Sequence, residues 1–164
     1  MKKQKGFSLI ELLIVVAIIL IIAAIAIPNL LRSKIAANES SAAGSVRTLV
    51  TAQIAYASTY GVGYAPLANL GGAVPCVAAA ATACLVDPII TGGKKSGYLI
   101  TSAPGGVGNS TFVAAAAPVT PQVTGVSDFC SDETGVVRKD PSGAAGAAGT
   151  DIACQALPAM NSNN

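Results

Sequence analysis

Phe7-Ser-Leu-Ile-Glu-Leu-Leu-Ile-Val-Val-Ala-Ile-Ile-Leu-Ile-Ile-Ala-Ala-Ile-Ala-Ile-Pro28 is the stretch that decides the fold. Residues 7–27 are apolar except for Ser8 and one acid, Glu11. At about 1.5 Å per residue, a helix of this length spans about 31 Å, which matches a bilayer core. Lys2, Lys3 and Lys5 precede it with no acid among them. The positive-inside rule then holds the N-terminus in the cytoplasm and sends the rest of the chain outward, as a single-pass protein. A carboxylate at the centre of a membrane helix costs about 2.5–3.5 kcal/mol, and less near an end. Glu11 therefore stands out as a position with a use. An ordinary secretory signal peptide is the plain alternative, and Ala24-Ile-Ala26 offers a cleavage-like site. Its apolar region, however, normally runs only about 7–15 residues and carries no acid. A plain signal anchor leaves Glu11 unexplained.

The pattern turns amphipathic beyond Pro28. Ile35, Ala42, Val46, Leu49, Val50, Ile54 and Ala57 recur at helical spacing, with Arg32, Lys34, Glu39, Arg47 and Gln53 on other faces. Gly44 alone interrupts, at about 1 kcal/mol relative to alanine. The spacing predicts one helix from Phe7 to Tyr60, kinked at Pro28, where the ring removes a donor and clashes with the Ala24 carbonyl. Such a helix is about 80 Å long and leaves the bilayer, so its amphipathic half needs a partner surface.

Gly61-Val-Gly-Tyr64 stops the helix, and residues 61–97 are rich in Gly, Pro and Ala. Tyr98–Thr101 and Thr111–Ala114 are predicted neighbouring strands across a glycine-rich turn at residues 104–109. Ser127–Ser131 and Gly135–Arg138 flank a second hairpin signal at Asp132-Glu-Thr134. The tail from Pro141 to Asn164 has little periodicity. The expected architecture is α+β, a long helix lying on a small antiparallel sheet. Its segments are residues 1–6, 7–28, 29–60 and a head over 61–164.

The stretch Lys5-Gly-Phe-Ser-Leu-Ile-Glu11 resembles the cleavage and methylation signal of type IV prepilins. The resemblance is strong from Lys5 to about Leu31 and implies several roles. Residues 1–6 are a leader that a prepilin peptidase removes after Gly6. Phe7 becomes the N-methylated N-terminus. Glu11 is the assembly residue, and Pro28 falls where the family usually has a proline. Leu20 stands where many members carry a glycine. The resemblance implies a subunit of a filament built from copies of itself. Such a subunit waits in the inner membrane, amid its lipid, for the assembly machinery and ends in an extracellular or periplasmic filament. A pseudopilin of a type II secretion system and a membrane-anchored binding or adhesion module are the alternative readings.

Four cysteines, Cys76, Cys84, Cys130 and Cys154, fall outside the cytoplasm in this topology, where disulfides persist. Three pairings are open from sequence. Cys76–Cys84 would close a small loop, and Cys130–Cys154 would staple the C-terminal segment, as in many pilins; this is the expected pairing.

Other chemistry is thin. Histidine is absent, and no C-x-x-C, G-x-S-x-G, P-loop or H-E-x-x-H occurs, so the expectation is no enzyme, no cofactor and no metal. Asp128, Asp132 and Glu133 could interest calcium, but the EF-hand spacing is missing and a solvated hairpin turn is expected instead. The formal charge is +2, and without residues 1–6 seven basic side chains face eight acidic ones, which gives no nucleic-acid footprint. Lys94-Lys95 reads as a surface loop. Asn38-Glu-Ser40 and Asn109-Ser-Thr111 match a glycosylation triplet that recurs by chance. Tyr56, Tyr60 and Tyr64 recur every four residues and are expected to stack in the core.

Overall fold

The structure is a computed structural model that describes residues 7–143 and 151–160. The chain divides into two compact units, Met1–Lys34 and Ile35–Asn164. One helix, α1 (Leu9–Tyr60, 52 residues), runs through Pro28 and contributes to both units.

In the first unit α1 begins two residues later than the apolar pattern predicts, because its start is set by a cap. The Ser8 N–H donates to Glu11 Oε2 at 2.9 Å, and the Leu12 N–H donates to the Ser8 carbonyl at 3.2 Å. Ser8 is the flanking residue and Glu11 the third helical one, the Ser-x-x-Glu spacing in which the acid reaches back to the cap. Around Pro28 the helix has extra side-chain support. Asn29 Nδ2 donates to the Ile25 carbonyl at 3.1 Å and Ser33 Oγ to the Asn29 carbonyl at 2.9 Å. The first of these bonds sits beside the Ala24 carbonyl that proline leaves without its usual donor.

In the second unit α1 buries a stripe comprising Ala42, Ala43, Ser45, Val46, Leu49, Val50, Ala52, Gln53 and Tyr56. Two residues depart from the amphipathic reading. Ile54, expected on the buried stripe, is 51% exposed, whereas Gln53, expected on a polar face, is fully buried. The amide explains the exchange. Its Nε2 donates to the Ala65 carbonyl and to Ser102 Oγ at 2.8 Å, and its Oε1 accepts from the Ala65 N–H at 2.9 Å. A buried side chain with these groups satisfied escapes the cost of an unpaired amide.

Five strands form one antiparallel sheet in sequence order: β1 (Lys94–Lys95), β2 (Tyr98–Gly105), β3 (Thr111–Pro118), β4 (Asp128–Asp132) and β5 (Arg138–Asp140). The first hairpin is longer than its sequence signal, pairing Tyr98 with Pro118 through Gly105 with Thr111. Alternation along β3 gives each sheet face its own core. Phe112, Ala114 and Ala116 join the cluster that includes Val46, Leu49 and Tyr98. Val113 and Ala115 join Cys130 and Cys154, with Leu157 packed against them. Alanines at 114 and 116 leave room for close packing on the first face.

The second hairpin shifts from its expected position. β5 starts at Arg138 instead of occupying 135–138, because the Val136 carbonyl accepts from Ser131 Oγ and the Val137 carbonyl from the Met160 N–H. The C-terminal run borders β5, with the Lys139 N–H donating to the Pro158 carbonyl and Arg138 bridging Ala159. Short helices α2 (Leu67–Leu70), α3 (Pro88–Thr91) and α4 (Asp151–Gln155) complete the unit. Residues 123–126 lie in a turn ahead of β4.

Candidate assembly helix and the stapled head

The described residues of the first unit present the side chains that a membrane or a neighbouring helix requires. Phe7 is 76% exposed, and every residue from Ser8 to Lys34 is exposed apart from the half-buried Ala23. The helix is long and apolar enough to cross a membrane, and its most apolar window buries none of its residues within the molecule. Glu11 is the acid of its first turn, where a carboxylate interacts favourably with the positive end of the helix dipole. No basic side chain lies between Phe7 and Ile27. The cap made by Glu11 was not anticipated, although the Ser8-Leu-Ile-Glu11 spacing carries its signal. Gly6 and the rest of residues 1–6 lie outside the described residues.

The head is held by the expected disulfides. Cys76 pairs with Cys84 and Cys130 with Cys154, the latter across 24 residues of sequence. Cys130 and Cys154 are buried, whereas Cys76 and Cys84 are exposed.

Polar clamps fix α1 to the loop between β3 and β4. Glu39 Oε1 accepts from the N–H groups of Val126 and Ser127, both at 3.0 Å. Its Oε2 lies 3.6 Å from Lys139 Nζ. Asn38 Nδ2 donates to the Thr124 carbonyl at 2.8 Å, so the first triplet asparagine has a structural role. Tyr98 donates to the Ser127 carbonyl at 2.9 Å. Burial first, and then the charges of Glu39 and Asp128, push its phenol well above the usual tyrosine range. Asn109 of the second triplet sits in a left-handed conformation with φ 57° in a short 3-10 turn.

The acids of the second hairpin correct the expectation of a solvated turn: Asp128 and Asp132 are buried. Asp132 Oδ1 accepts from the Thr134 N–H at 2.9 Å and from the Thr134 hydroxyl, folding the turn around itself. The tyrosine series also divides. Tyr56 and Tyr60 pack with ring centroids 4.8 Å apart, but Tyr64 packs on Phe112 at 4.6 Å. The Gly61-Val-Gly63 stop takes Tyr64 out of the helix, and with it out of the four-residue repeat.

Comparison with known proteins follows the same lines. Residues 1–27 match the prokaryotic N-terminal methylation motif. The chain is 34% identical over 153 residues to the type IV major pilin protein PilA of Myxococcus xanthus, covering 88% of this chain and 62% of that protein. It is 43% identical over 74 residues to the type IV wide pilus major component PilA4 of Thermus thermophilus, covering 43% of this chain and 56% of that protein. The chain thus spans less than two thirds of the length of either relative. No solved structure matches it significantly. The methylation motif, the two pilin relatives and the long apolar helix with its antiparallel sheet support the type IV pilin family for this chain.

Proposed function

We propose that this chain is a structural, non-catalytic subunit of a type IV pilus-like filament. The observation that carries the reading is the helix segment from Ser8 to Lys34, apolar through Ile27, exposed on nearly every residue and bearing one acid near its start. A surface of that kind is stable only against lipid or against other helices. In this reading residues 1–6 are a leader that a prepilin peptidase removes after Gly6, and Phe7 is then N-methylated. Residues 7–28 hold the subunit in the inner membrane with its N-terminus inside. Residues 29–60 and the head over 61–164 lie outside. The inner-membrane assembly machinery moves subunits from lipid into a filament, where apolar helices pack on one another. Glu11 enters that core with the amine of Phe7, from its own or a neighbouring subunit, as its counter-ion. Such a pair fixes register more than it adds stability. Pro28 weakens the helix next to the segment that packs.

Mass spectrometry of the mature protein, together with electron microscopy of shed surface material, tests the reading. The expected result is a chain that begins at N-methyl-Phe7 and is found in filaments. A mature chain starting at Ile27, or a full-length chain with its lysines retained, would overturn it.

A further inference from the structure

Two features of the second unit are opposite in shape. The first is convex. Between Ala73 and Val86 the chain carries no charge. The Cys76–Cys84 disulfide closes this segment into a knob, with Val74 82% and Val77 79% exposed. The knob is held in place: Tyr56 Oη donates to the Ala80 carbonyl at 2.7 Å, and the N–H groups of Ala83 and Leu85 bond to the Asn69 and Leu70 carbonyls. An apolar surface that is braced in this way and left in water is available for a contact.

The second feature is concave. Two hollows of about 480 and 510 Å³ run along α1 on the β5 side and share Arg47 and Met160. Val50, Val137 and Phe129 contribute apolar walls, Glu39 and Lys139 of the larger hollow pair with each other, and Gly44 leaves one flank open, since a Cβ there meets nothing within 4 Å. Tyr56, which holds the knob, and Arg47, which borders both hollows, are nine residues apart. Nine residues are two and a half helical turns, so the two features lie on opposite sides of α1.

Charge selects the occupant. Arg47 is exposed and makes no ion pair among the described residues. Asp87 closes the knob as the only charged residue between Arg47 and Lys94. Its Oδ1 caps α3 by accepting from the Ile89 N–H at 2.7 Å, and it too makes no ion pair among the described residues. We propose that the Cys76–Cys84 knob of one copy seats in the α1–β5 groove of a second copy, with Asp87 of the first facing Arg47 of the second. The contact is heterologous, pairing two different surfaces, so each added copy leaves one knob and one groove free and the series continues as an open helical stack. An apolar centre with a charged rim is the usual construction of such an interface, and the rim pair sets orientation. The inference rests on the filament reading and assigns its head-to-head contact.

The test is a charge exchange in the full chain in its native cell, with filament yield and membrane-bound folded subunit measured in parallel. R47E and D87R each place like charges at the contact and are expected to lower filament yield by about tenfold or more. D87N keeps a capping side chain and loses the charge, so it lowers yield less. The double variant R47E/D87R restores yield to within about threefold of the original. A photo-crosslinker at Val77 in otherwise unaltered filaments is expected to label residues 47–51 or 135–137 of a second copy. Normal filaments from R47E, a double variant as poor as its parents at normal subunit levels, or labelling elsewhere in intact filaments would each overturn the proposal while leaving the filament reading in place. Should either single variant fail to accumulate, the Val77 labelling decides alone. If the unaltered chain forms no filaments, the filament reading fails and this contact falls with it.

Discussion

The two halves of α1 share a backbone and differ in what their sequences require. Residues 9–34 bury almost nothing within the molecule, although nearly all of them through Ile27 are apolar. Residues 35–60 are less apolar, yet they supply nine of the buried side chains. The difference teaches that hydrophobic content alone does not make a core. An all-round apolar helix has no preferred side to turn toward a sheet, and its partner must surround it, as lipid or other helices do. A striped helix has one side to bury, and a single sheet in the same chain suffices.

This contrast predicts that substitutions in the first half alter assembly and leave the head intact, and that substitutions in the second half do the reverse. The largest effect is expected at Glu11. Glu11→Gln removes the charge but keeps an oxygen for the Ser8 N–H. In the proposed filament, uncovering a buried counter-ion costs about 3–5 kcal/mol, so filament number should fall by roughly two to four orders of magnitude. The unfolding midpoint of the detergent-solubilised subunit, followed by tyrosine circular dichroism, should not move. A shifted midpoint would break the contrast between the halves.

Replacing Cys130 and Cys154 together by serine should lower head stability by about 3.5 kcal/mol, whereas the shorter Cys76–Cys84 loop should account for about 2.6 kcal/mol. Urea titrations of the two double variants check the order. Gln53→Leu leaves the Ala65 N–H and carbonyl without their partner at a buried site and should cost about 2–3 kcal/mol, although leucine is the more apolar residue. An unchanged midpoint for this variant would mean that the stripe is read by apolarity alone.

The Tyr98 phenol gives a pH test of the same half. Its folded pKa lies above the unfolded value of about 10, so the stability it contributes is complete below about pH 10 and declines as pH rises beyond that. Urea midpoints at pH 9 and pH 11 should show this decline, and Tyr98→Phe should reduce it. The smallest effect is expected for Lys139→Met, because the pair with Glu39 is partly exposed and should contribute less than about 1 kcal/mol. Glu39 keeps its two backbone donors in that variant.

Periodicity and short motifs made much of the fold legible. The apolar block, the 3.6-residue stripe and the glycines at 61 and 63 located α1 to within two residues at its start. Strand-like runs and turn residues located the first hairpin and β4, whereas the last strand was expected three residues too early. What escaped depended on partners distant in sequence. Gln53 reads as a surface residue until Ala65 and Ser102 close around its amide. Glu39 reads as decoration until the turn before β4 presents two N–H groups to it. The shift of β5 depended on Met160, more than twenty residues later. The Ser8–Glu11 cap differs in that its whole signal is local, a serine with an acid three residues on.

The borders of the sheet have a consequence for storage. At one border the run Pro158–Met160 occupies the backbone groups beside β5. At the other, β1 is only two residues long and both are lysines. Past β1, the Ile100 N–H bonds to Gly93, so the next backbone groups of β2 on that edge belong to Ser102, whose side chain is buried, and Pro104, which has no N–H to offer. In the reading proposed above, copies waiting side by side in a membrane plane would be exposed to runaway strand pairing between neighbours. Blunted margins of this kind suppress that amyloid-like route, and in the proposed reading they would keep stored copies separate and available for use.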